Sequence, residues 1–261
     1  RGRVIFGVMD LTALARGALR RVRPRMQMIF QDSFSSLNPH KTVEQILALP
    51  LRIGGYKSKF AVRKRVDELM GLVGLDPGLS RRFPHQFSGG QRQRIGVARA
   101  LASEPELIIA DEPVASLDVS IQAQILDILR QLQRRLDLTT IFISHDISVV
   151  SHISSRIAVM YLGKIVEIGP AQAVIKKPLH PYTRALLAAV PAVGRERKEG
   201  SIRLPGDPPS PVNIPEGCRF NTRCYLDKSP ECGREEPELR EVEPGHFAAC
   251  CLAEGGEAGG P

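Results

Sequence analysis

Two short stretches of the chain indicate its fold: Phe-Ser-Gly-Gly-Gln at residues 87–91 and Leu-Ile-Ile-Ala-Asp-Glu-Pro at residues 107–113. The first places a serine and two glycines where a helix is predicted to begin, because serine is a favoured N-cap residue. The second is a run of four apolar residues that ends in two carboxylates, the pattern of a strand buried on both faces. Helix N-termini and the carboxyl ends of parallel strands are where α/β proteins bind phosphorylated ligands. The two stretches therefore predict a nucleotide site.

Alternating helices and strands surround these stretches. Apolar residues at helical spacing predict helices over 42–53, 61–73, 91–102, 119–136, about 146–153 and 182–190. Shorter apolar runs predict strands over 3–8, 26–30, 107–110, 139–143, 156–161 and 164–168. We expect the strand at 139–143, like that at 107–110, to be buried on both faces. The alternation predicts a mainly parallel sheet with helices on both faces.

The composition suits one large domain with an appendage: 261 residues, 43% of them hydrophobic. No apolar run reaches the roughly 20 residues that span a bilayer, and no signal-peptide pattern opens the chain, so we expect a cytoplasmic protein. The net charge of +8 divides into +12 over residues 1–194 and −4 over 195–261. The positive charge of residues 1–194 has four possible explanations: phosphate ligands, anionic lipid, nucleic acid or an ordinary solvated surface. Nucleic acid is not favoured, because no aromatic residues interleave the basic stretch 16–25.

Four polar residues follow predicted strands and could carry chemistry. Asp111 could hold Mg²⁺, and Glu112 could polarise an attacking water. Gln31 follows strand 26–30, where an amide can ligate Mg²⁺ or hold water, and His145, at the end of another strand, could donate to a γ-phosphate. Each residue also has a purely structural interpretation: an acidic strand end, a solvated amide or a structural imidazole.

The order of these parts resembles the ATPase domain of ABC transporters. The resemblance matches Gln31 to the Q-loop and residues 87–91 to the signature motif, with Phe for the usual Leu. It matches 107–111 to Walker B and Glu112 to the catalytic glutamate. Ser116–Asp118 correspond to the D-loop and His145 to the switch histidine. It covers residues 1 to about 194 and implies an α/β fold of the ABC-type P-loop NTPase class. That fold has a mainly parallel sheet, a helical subdomain at about 40–102 and, here, a loop-rich C-terminal extension at 195–261.

The resemblance also implies how the site works. Two such domains sandwich two ATP molecules, so ATP and Mg²⁺ are the expected ligands, with Glu112 and His145 as the catalytic residues. The nucleotide and Mg²⁺ contacts that the resemblance implies are Gln31, Ser88, Gly89, Gly90, Gln91, Asp111 and Asp118.

Three further segments narrow the resemblance to the oligopeptide/dipeptide importer branch, some members of which take up nickel. They are Ser35–Pro39, Arg82–Phe87 and His180–Thr183. This branch implies a second ABC ATPase subunit, identical or different, and transmembrane permease subunits. It also implies an extracytoplasmic peptide-binding protein as an indirect partner, no nucleic acid, and a place on the cytoplasmic face of the membrane.

The sequence departs from the family in one respect: its 261 residues contain no G-x-x-x-x-G-K-[ST] phosphate loop. We expect this Walker A loop and the aromatic residue that stacks on adenine to precede Arg1. An alternative is that the loop is genuinely missing and that the chain is a catalytically incompetent regulatory or redox module built on an ABC domain. A third hypothesis, an ABC ATPase acting on nucleic acid, is disfavoured by the importer-type C-terminal part.

All five cysteines lie in residues 195–261, with the spacing C-x5-C-x7-C-x17-C and Cys251 adjacent to the last. We expect this Pro- and Gly-rich segment to lack the apolar residues for a core and to need a metal to be ordered. Four thiolates can bind a [4Fe–4S] cluster, and the resemblance adds that some members of the branch carry one. The predicted ligands are Cys218, Cys224, Cys232 and Cys250. In an extended segment Cys251 would point away from the other four. Free thiols and zinc remain the alternatives.

Overall fold

The computed structural model describes residues 2–32, 36–190, 202–207 and 209–253. Ser35 of the importer-type segment, the predicted boundary near residue 194 and Arg1 all lie outside these residues. Contacts divide the chain into two compact units, Arg1–His145 and Asp146–Pro261. Among the described residues, no helix combines the length and apolarity needed to cross a bilayer.

The first unit combines a parallel sheet with helices. Its strands are β1 (Ile5–Phe6), β2 (Met9–Asp10), β3 (Met26–Ile29), β4 (Leu107–Asp111) and β5 (Thr139–Ile143). Its helices are α1 (Arg16–Val22), α2 (Val43–Ile53), α3 (Lys59–Leu72), α4 (Gly89–Leu101) and α5 (Val119–Leu136). Strands β3, β4 and β5 pair in that order and all in parallel, as the alternation predicted.

The expected single strand at 3–8 is instead the antiparallel hairpin β1–β2. Gly7 has a φ of +60°, a conformation that glycine adopts without steric cost. Gly7 therefore reverses the chain direction between β1 and β2, although the strand predicted from the sequence runs through residues 3–8 without a break.

Helices α2, α3 and α4 lie within residues 40–102, the range over which the resemblance implies a helical subdomain. Thr42 begins α2 with a capping box to Gln45, and Ser58 caps α3. Leu47, Val66 and Ile95, one from each helix, are fully buried. Capping residues therefore determine where α2 and α3 begin. The apolar faces of all three helices contribute fully buried residues.

Strand β5 is not buried on both faces, so that expectation was wrong. Ile141 is 50% exposed and Ile143 is 44% exposed, whereas Ile108 and Ala110 of β4 are buried. In the three-stranded sheet β4 is central and β5 is an outer strand. Sequence pattern alone does not distinguish a central apolar strand from an outer one.

The second unit is built on an antiparallel sheet. Its elements are α6 (Ile147–Ile153), β6 (Arg156–Tyr161), β7 (Lys164–Pro170), α7 (Ala171–Lys176), α8 (Pro181–Ala188), β8 (Arg240–Glu243) and β9 (His246–Ala248). The strand order is β6-β7-β9-β8. Strand β9 thus pairs with β7, which places part of the C-terminal segment in the same sheet as β6 and β7.

Phe220 of the C-terminal segment packs into a core that preceding residues form, a contact that the sequence analysis did not predict. Phe220 is 1% exposed. Its ring lies 5.2 Å from that of Tyr161, 5.4 Å from that of Tyr182 and 5.7 Å from that of His180. Because these partners precede residue 195, a count of apolar residues within the segment could not reveal them.

A buried carboxylate ties the C-terminal strand to the segment before α8. Glu167 in β7 accepts hydrogen bonds from the backbone N–H groups of Leu179 and His180, both at 2.9 Å. Its Oε1 also lies 2.8 Å from Nε2 of His246 in β9. Gly169 makes room for the ring, since a Cβ there would lie 2.6 Å from His246. Each oxygen of this fully buried carboxylate thus has a partner, as burial of such a group requires.

Candidate active site

The polar residues predicted at strand ends come together at one edge of the parallel sheet. Asp111 is the last residue of β4, Glu112 follows it, Gln31 follows β3 by two residues and His145 follows β5 by two. Because β3, β4 and β5 are parallel neighbours, their carboxyl ends share one edge. Each of the four residues lies at or just beyond a strand end, as the apolar runs predicted.

Glu112 and His145 are in direct contact. Nδ1 of His145 lies 3.1 Å from Oε1 of Glu112. Glu112 has a φ of +44°, a left-handed conformation that is strained for a residue with a side chain, and its N–H donates to the Ile143 carbonyl at 3.0 Å. This turn aims the carboxylate at His145. The carboxylate retains acceptor sites that could orient a water.

Residues 87–91 begin helix α4 as a capping box. The Gln91 N–H donates to the Ser88 hydroxyl at 3.3 Å, and the Ser88 N–H donates to Oε1 of Gln91 at 3.0 Å. Nη1 of Arg92 donates to the Phe87 carbonyl at 2.5 Å. The positive end of the α4 dipole therefore coincides with this segment, as an anion site requires.

The two glycines of the segment have different surroundings. A Cβ at Gly90 would lie 2.5 Å from Cγ2 of Ile121 in α5, whereas one at Gly89 would make an ordinary 3.6 Å contact with Leu117. Gly90 thus allows α4 and α5 to approach closely, a packing role that the sequence pattern did not reveal. It also brings the signature segment beside the D-loop of the same chain.

The D-loop segment, residues 116–118, is held from inside the chain. Oδ1 of Asp118 accepts from the Ser120 hydroxyl at 2.7 Å and from the Ile121 N–H at 2.9 Å. These hydrogen bonds lower the pKa of Asp118. Asp118, predicted to serve nucleotide, acts here as the N-cap of α5.

Gln122 is a residue of this segment that the sequence analysis missed. Its side-chain amide donates to the carbonyls of Val114 and Leu117, both at 3.0 Å. An amide on the first turn of a helix just after a capping aspartate is the signal that could have identified it. It closes the turn that leads from Glu112 to α5.

The structure does not join the signature segment to the strand-end residues. Within the described parts of the chain, no hydrogen bond or ion pair connects residues 88–91 with Glu112 or His145. The two sets lie on separate elements, α4 on one side and the ends of β4 and β5 on the other.

The five cysteines converge in the second unit. The Cys218 N–H donates to the Cys232 carbonyl at 2.9 Å, and burial raises the pKa of Cys218. Burial also raises the pKa of Cys250 to about 11, and neighbouring thiolates at Cys218, Cys224 and Cys232 contribute to that rise.

The Cys251 thiol does not point away from the others, so that expectation was wrong. Its sulfur lies 2.6 Å from that of Cys232. Burial favours a higher pKa for Cys232, but hydrogen bonds from Cys251 and Ser229 outweigh it and lower that pKa. Strand β9 ends at Ala248 and a turn follows at residues 251–252, so the alternation of an extended strand does not apply.

Two family profiles match the chain: "ABC transporter" over residues 1–115, and "Oligopeptide/dipeptide transporter, C-terminal region" over residues 166–232. The oligopeptide transport ATP-binding protein AppF of Bacillus subtilis (strain 168) is 49% identical over 257 residues, which cover 96% of this chain and 77% of AppF. The chain belongs to the ABC transporter family, in its oligopeptide/dipeptide branch. A second relative, the oligopeptide transport ATP-binding protein OppF of Salmonella typhimurium, is 52% identical over 252 residues, 95% of this chain and 75% of OppF.

Solved structures of ABC cassettes share the fold of this ABC ATPase subunit. The ATP-binding cassette MJ0796, in a dimeric post-hydrolysis state bound to ADP and Pi, has a TM-score of 0.59 and 29% identity, over 66% of this chain and 74% of that one. CbiO1 of Clostridium perfringens, part of the ABC transporter complex cbiONQ, has a TM-score of 0.61 and 28% identity, over 69% and 70% of the two chains. The ABC fold predicted from the motifs is thereby confirmed.

As an ABC ATPase, the subunit uses ATP and Mg²⁺. Oxygen atoms of Asp111 and Gln31, at the ends of neighbouring strands, are the ligand type that Mg²⁺ prefers. No group of three or more His, Cys, Asp or Glu side chains among the described residues could hold a metal ion. Mg²⁺ in nucleotide sites is held by one or two carboxylates together with phosphates and waters, so the donors at this edge fit it.

The predicted [4Fe–4S] ligands of this ABC subunit do not fit a cluster as they are arranged. Cys218, Cys224, Cys232 and Cys250 lie in one region, but among the described side chains they form no group of three donors that could hold a metal. Phe220 gives this segment a buried apolar contact in addition to its thiols.

Proposed function

We propose that this chain is the ATP-hydrolysing subunit that powers peptide import through an ABC transporter. The contact between Glu112 and His145 at the carboxyl edge of the sheet supports this most directly. It pairs the carboxylate proposed to activate water with the imidazole proposed to donate a hydrogen bond to the γ-phosphate. Both residues lie just beyond the ends of neighbouring strands. The names of the relatives, oligopeptide transport ATP-binding proteins, supply the substrate class.

In this proposal Glu112 holds the attacking water and accepts its proton as the water oxygen bonds to the γ-phosphorus. The bond from that phosphorus to the β–γ bridging oxygen breaks in the same step, and ADP leaves with the bond's electron pair. His145 donates a hydrogen bond to the γ-phosphate and keeps the Glu112 carboxylate in place through its contact. Mg²⁺, when bound by Asp111 and Gln31, neutralises charge on the phosphates.

The signature segment has a separate role in the proposal. The N-terminus of α4, with Ser88 and Gly90, contacts the γ-phosphate of the ATP held by the partner subunit, with Gly89 and Gln91 shaping that surface. Asp118 keeps the adjoining D-loop in position by capping α5. The separation of this segment from Glu112 within the chain suits two sites that are completed between subunits.

The partners follow from the proposed function. We place the chain on the cytoplasmic face of the membrane, paired with a second ABC ATPase subunit and docked on transmembrane permease subunits. An extracytoplasmic peptide-binding protein delivers the peptide, and nucleic acid is not a partner. Hydrolysis reopens the ATPase dimer and thereby resets the permease.

Reconstitution tests the proposal. The transporter, assembled with its own partner subunits in proteoliposomes, should accumulate a labelled oligopeptide only when MgATP is present. Glu112→Gln should abolish accumulation and lower ATP turnover by about 10²–10⁴-fold, while ATP still binds. Asp127→Asn, the same chemical change on an exposed carboxylate of α5, should leave both rates near wild type. ATP-independent uptake, or equal turnover in E112Q and D127N, would contradict the proposal.

The C-terminal part raises a finer proposal. We propose that the ATPase domain extends over residues 1–194 and that the extension at 195–261 carries a [4Fe–4S] cluster when its thiols rearrange around iron. The convergence of all five cysteines supports this, although their present arrangement does not form a metal site. Protein purified anaerobically should then be brown and contain about four irons per chain. One zinc, or five titratable thiols without metal, would reject it.

The alternative of a catalytically incompetent regulatory or redox module has less support. A module without catalytic activity would not require the strained φ of Glu112 or its contact with His145. The E112Q comparison decides between the two.

A further inference from the structure

We propose that Arg99 is a positioning residue for ATP hydrolysis, which holds Phe30, next to Gln31, and Ser36 against the helix that begins at the signature motif. This inference rests on the proposed function, because it assigns a role within the same ATP site. It adds a residue that the motif analysis did not identify.

Arg99 holds the chain on both sides of Gln31. Nη1 of Arg99 donates to the Ser36 carbonyl, five residues after Gln31. Its guanidinium carbon lies 6.0 Å from the ring centre of Phe30, the residue directly before Gln31. One side chain on the last turn of α4 thus contacts both flanks of the Q-loop glutamine.

The contacts suit a guanidinium. Burial lowers the pKa of Arg99, but the group keeps its charge because arginine is not deprotonated in proteins. A charged donor strengthens the hydrogen bond to the Ser36 carbonyl, and the flat guanidinium can lie against the Phe30 ring. A lysine could supply the charge and one donor, but not the flat face.

The other end of α4 is fixed as firmly. Arg92 donates to the Phe87 carbonyl, and the Ser88–Gln91 capping box closes the first turn. Ser88 and Arg99 are eleven positions apart, about 16 Å along a helix. One helix therefore presents Ser88 at its start and, through Arg99 in its last turn, contacts Phe30 and Ser36.

ATP binding and ATP hydrolysis by the reconstituted transporter, each measured against Mg²⁺ concentration, test this role. Arg99→Met should weaken the apparent Mg²⁺ affinity about three- to tenfold, because Gln31 is no longer held in place. The control Arg63→Met, an exposed arginine of α3, should change it less than about twofold.

A double-mutant cycle separates positioning from general destabilisation. If Arg99 acts through Gln31, adding R99M to the Gln31→Ala variant should weaken the apparent Mg²⁺ affinity by less than about a further 1.5-fold. Additive effects in the cycle, or identical Mg²⁺ curves for R99M and R63M, would overturn the proposal.

Two further outcomes keep the test decisive. If R99M does not fold, Arg99→Lys replaces it in the cycle and should show a smaller loss in Mg²⁺ affinity that is likewise absent in the Q31A background. A wild-type transporter without ATP turnover would instead overturn the proposed function, whereas an active wild type with no coupling between Arg99 and Gln31 overturns only this inference.

Discussion

Nδ1 of His145 and Oε1 of Glu112 are 3.1 Å apart, although 32 residues separate them along the chain. They meet because each follows one of two adjacent parallel strands in register, with Asp111 opposite Ile143. The side chains differ in exposure: 72% for His145 and 26% for Glu112. The carboxylate is thus partly shielded, while the imidazole is largely exposed to solvent.

This exposure gives a prediction for His145→Ala. ATP turnover by the assembled transporter should fall about 10- to 100-fold, because the variant removes a donor and frees the Glu112 carboxylate. The melting temperature should stay within a few degrees of wild type, since contacts between exposed polar side chains contribute little to stability. The control His40→Ala, at an exposed histidine, should change neither quantity. Equal turnover in the two variants would show that His145 has no part in hydrolysis.

The sequence predicted that the candidate site residues lie at strand ends, but it did not predict their contacts. Gln31, Asp111, Glu112 and His145 could all be assigned to one sheet edge, because apolar runs of strand length end just before them and parallel strands align their ends. The Glu112–His145 contact depends on the left-handed φ of Glu112, which no residue pattern encodes. Gln122 was missed for a similar reason, since its role depends on how the D-loop turns back on α5.

The C-terminal part shows where sequence reasoning failed. A core was ruled out by counting apolar residues within 195–261, but the core is shared with residues far away in sequence. Phe220 packs on Tyr161, and Phe247 of β9 is paired with Ile168 of β7. Short strands such as β9 carry too little alternation to be predicted.

Phe220 should therefore be a major determinant of stability. Phe220→Ala is expected to lower the free energy of unfolding by about 3–5 kcal/mol, as removal of a fully buried ring does. Phe60→Ala, at a ring that is 79% exposed, should change it by less than about 0.5 kcal/mol. Urea unfolding followed by tyrosine fluorescence measures both. A small effect of F220A would mean that the C-terminal segment does not share this core.

Gly217 offers a test of how the cysteine region is held. Its φ is +69°, and a Cβ there would lie 2.6 Å from the Cys232 carbonyl oxygen and 2.8 Å from the Arg234 nitrogen. Gly217→Ala should cost more than about 2 kcal/mol, because backbone atoms cannot move aside and the left-handed conformation is strained. Gly233→Ala, where a Cβ meets nothing within 4 Å, is the matched control and should be nearly neutral. Similar unfolding curves for the two variants would argue against the close approach of residues 217 and 232.

His180 should make the stability of the second unit depend on pH. Burial, with a smaller contribution from the nearby charge of Arg184, lowers the pKa of His180 from 6.5 to about 4. Its Nδ1 accepts from the Tyr182 N–H at 3.1 Å, and the backbone N–H of His180 donates to Glu167 at 2.9 Å. Between pH 6.5 and 4 the unfolded chain therefore binds a proton that the folded chain does not.

The sign follows from proton linkage: the free energy of unfolding falls as the pH is lowered through this window. From pH 7 to pH 5 the loss assigned to His180 is about 2 kcal/mol, and above pH 7 it contributes no pH dependence. His180→Asn keeps an acceptor for the Tyr182 N–H, since asparagine is a good N-cap, but removes the titrating group. The stability of H180N should therefore decrease less than that of the wild type, by about the same 2 kcal/mol, when urea unfolding at pH 7 and pH 5 is compared. Carboxylates such as Glu243, whose pKa is lowered by a hydrogen bond from Lys177, titrate equally in both proteins and cancel in the comparison. Parallel pH profiles for the two proteins would show that His180 becomes protonated without unfolding the chain.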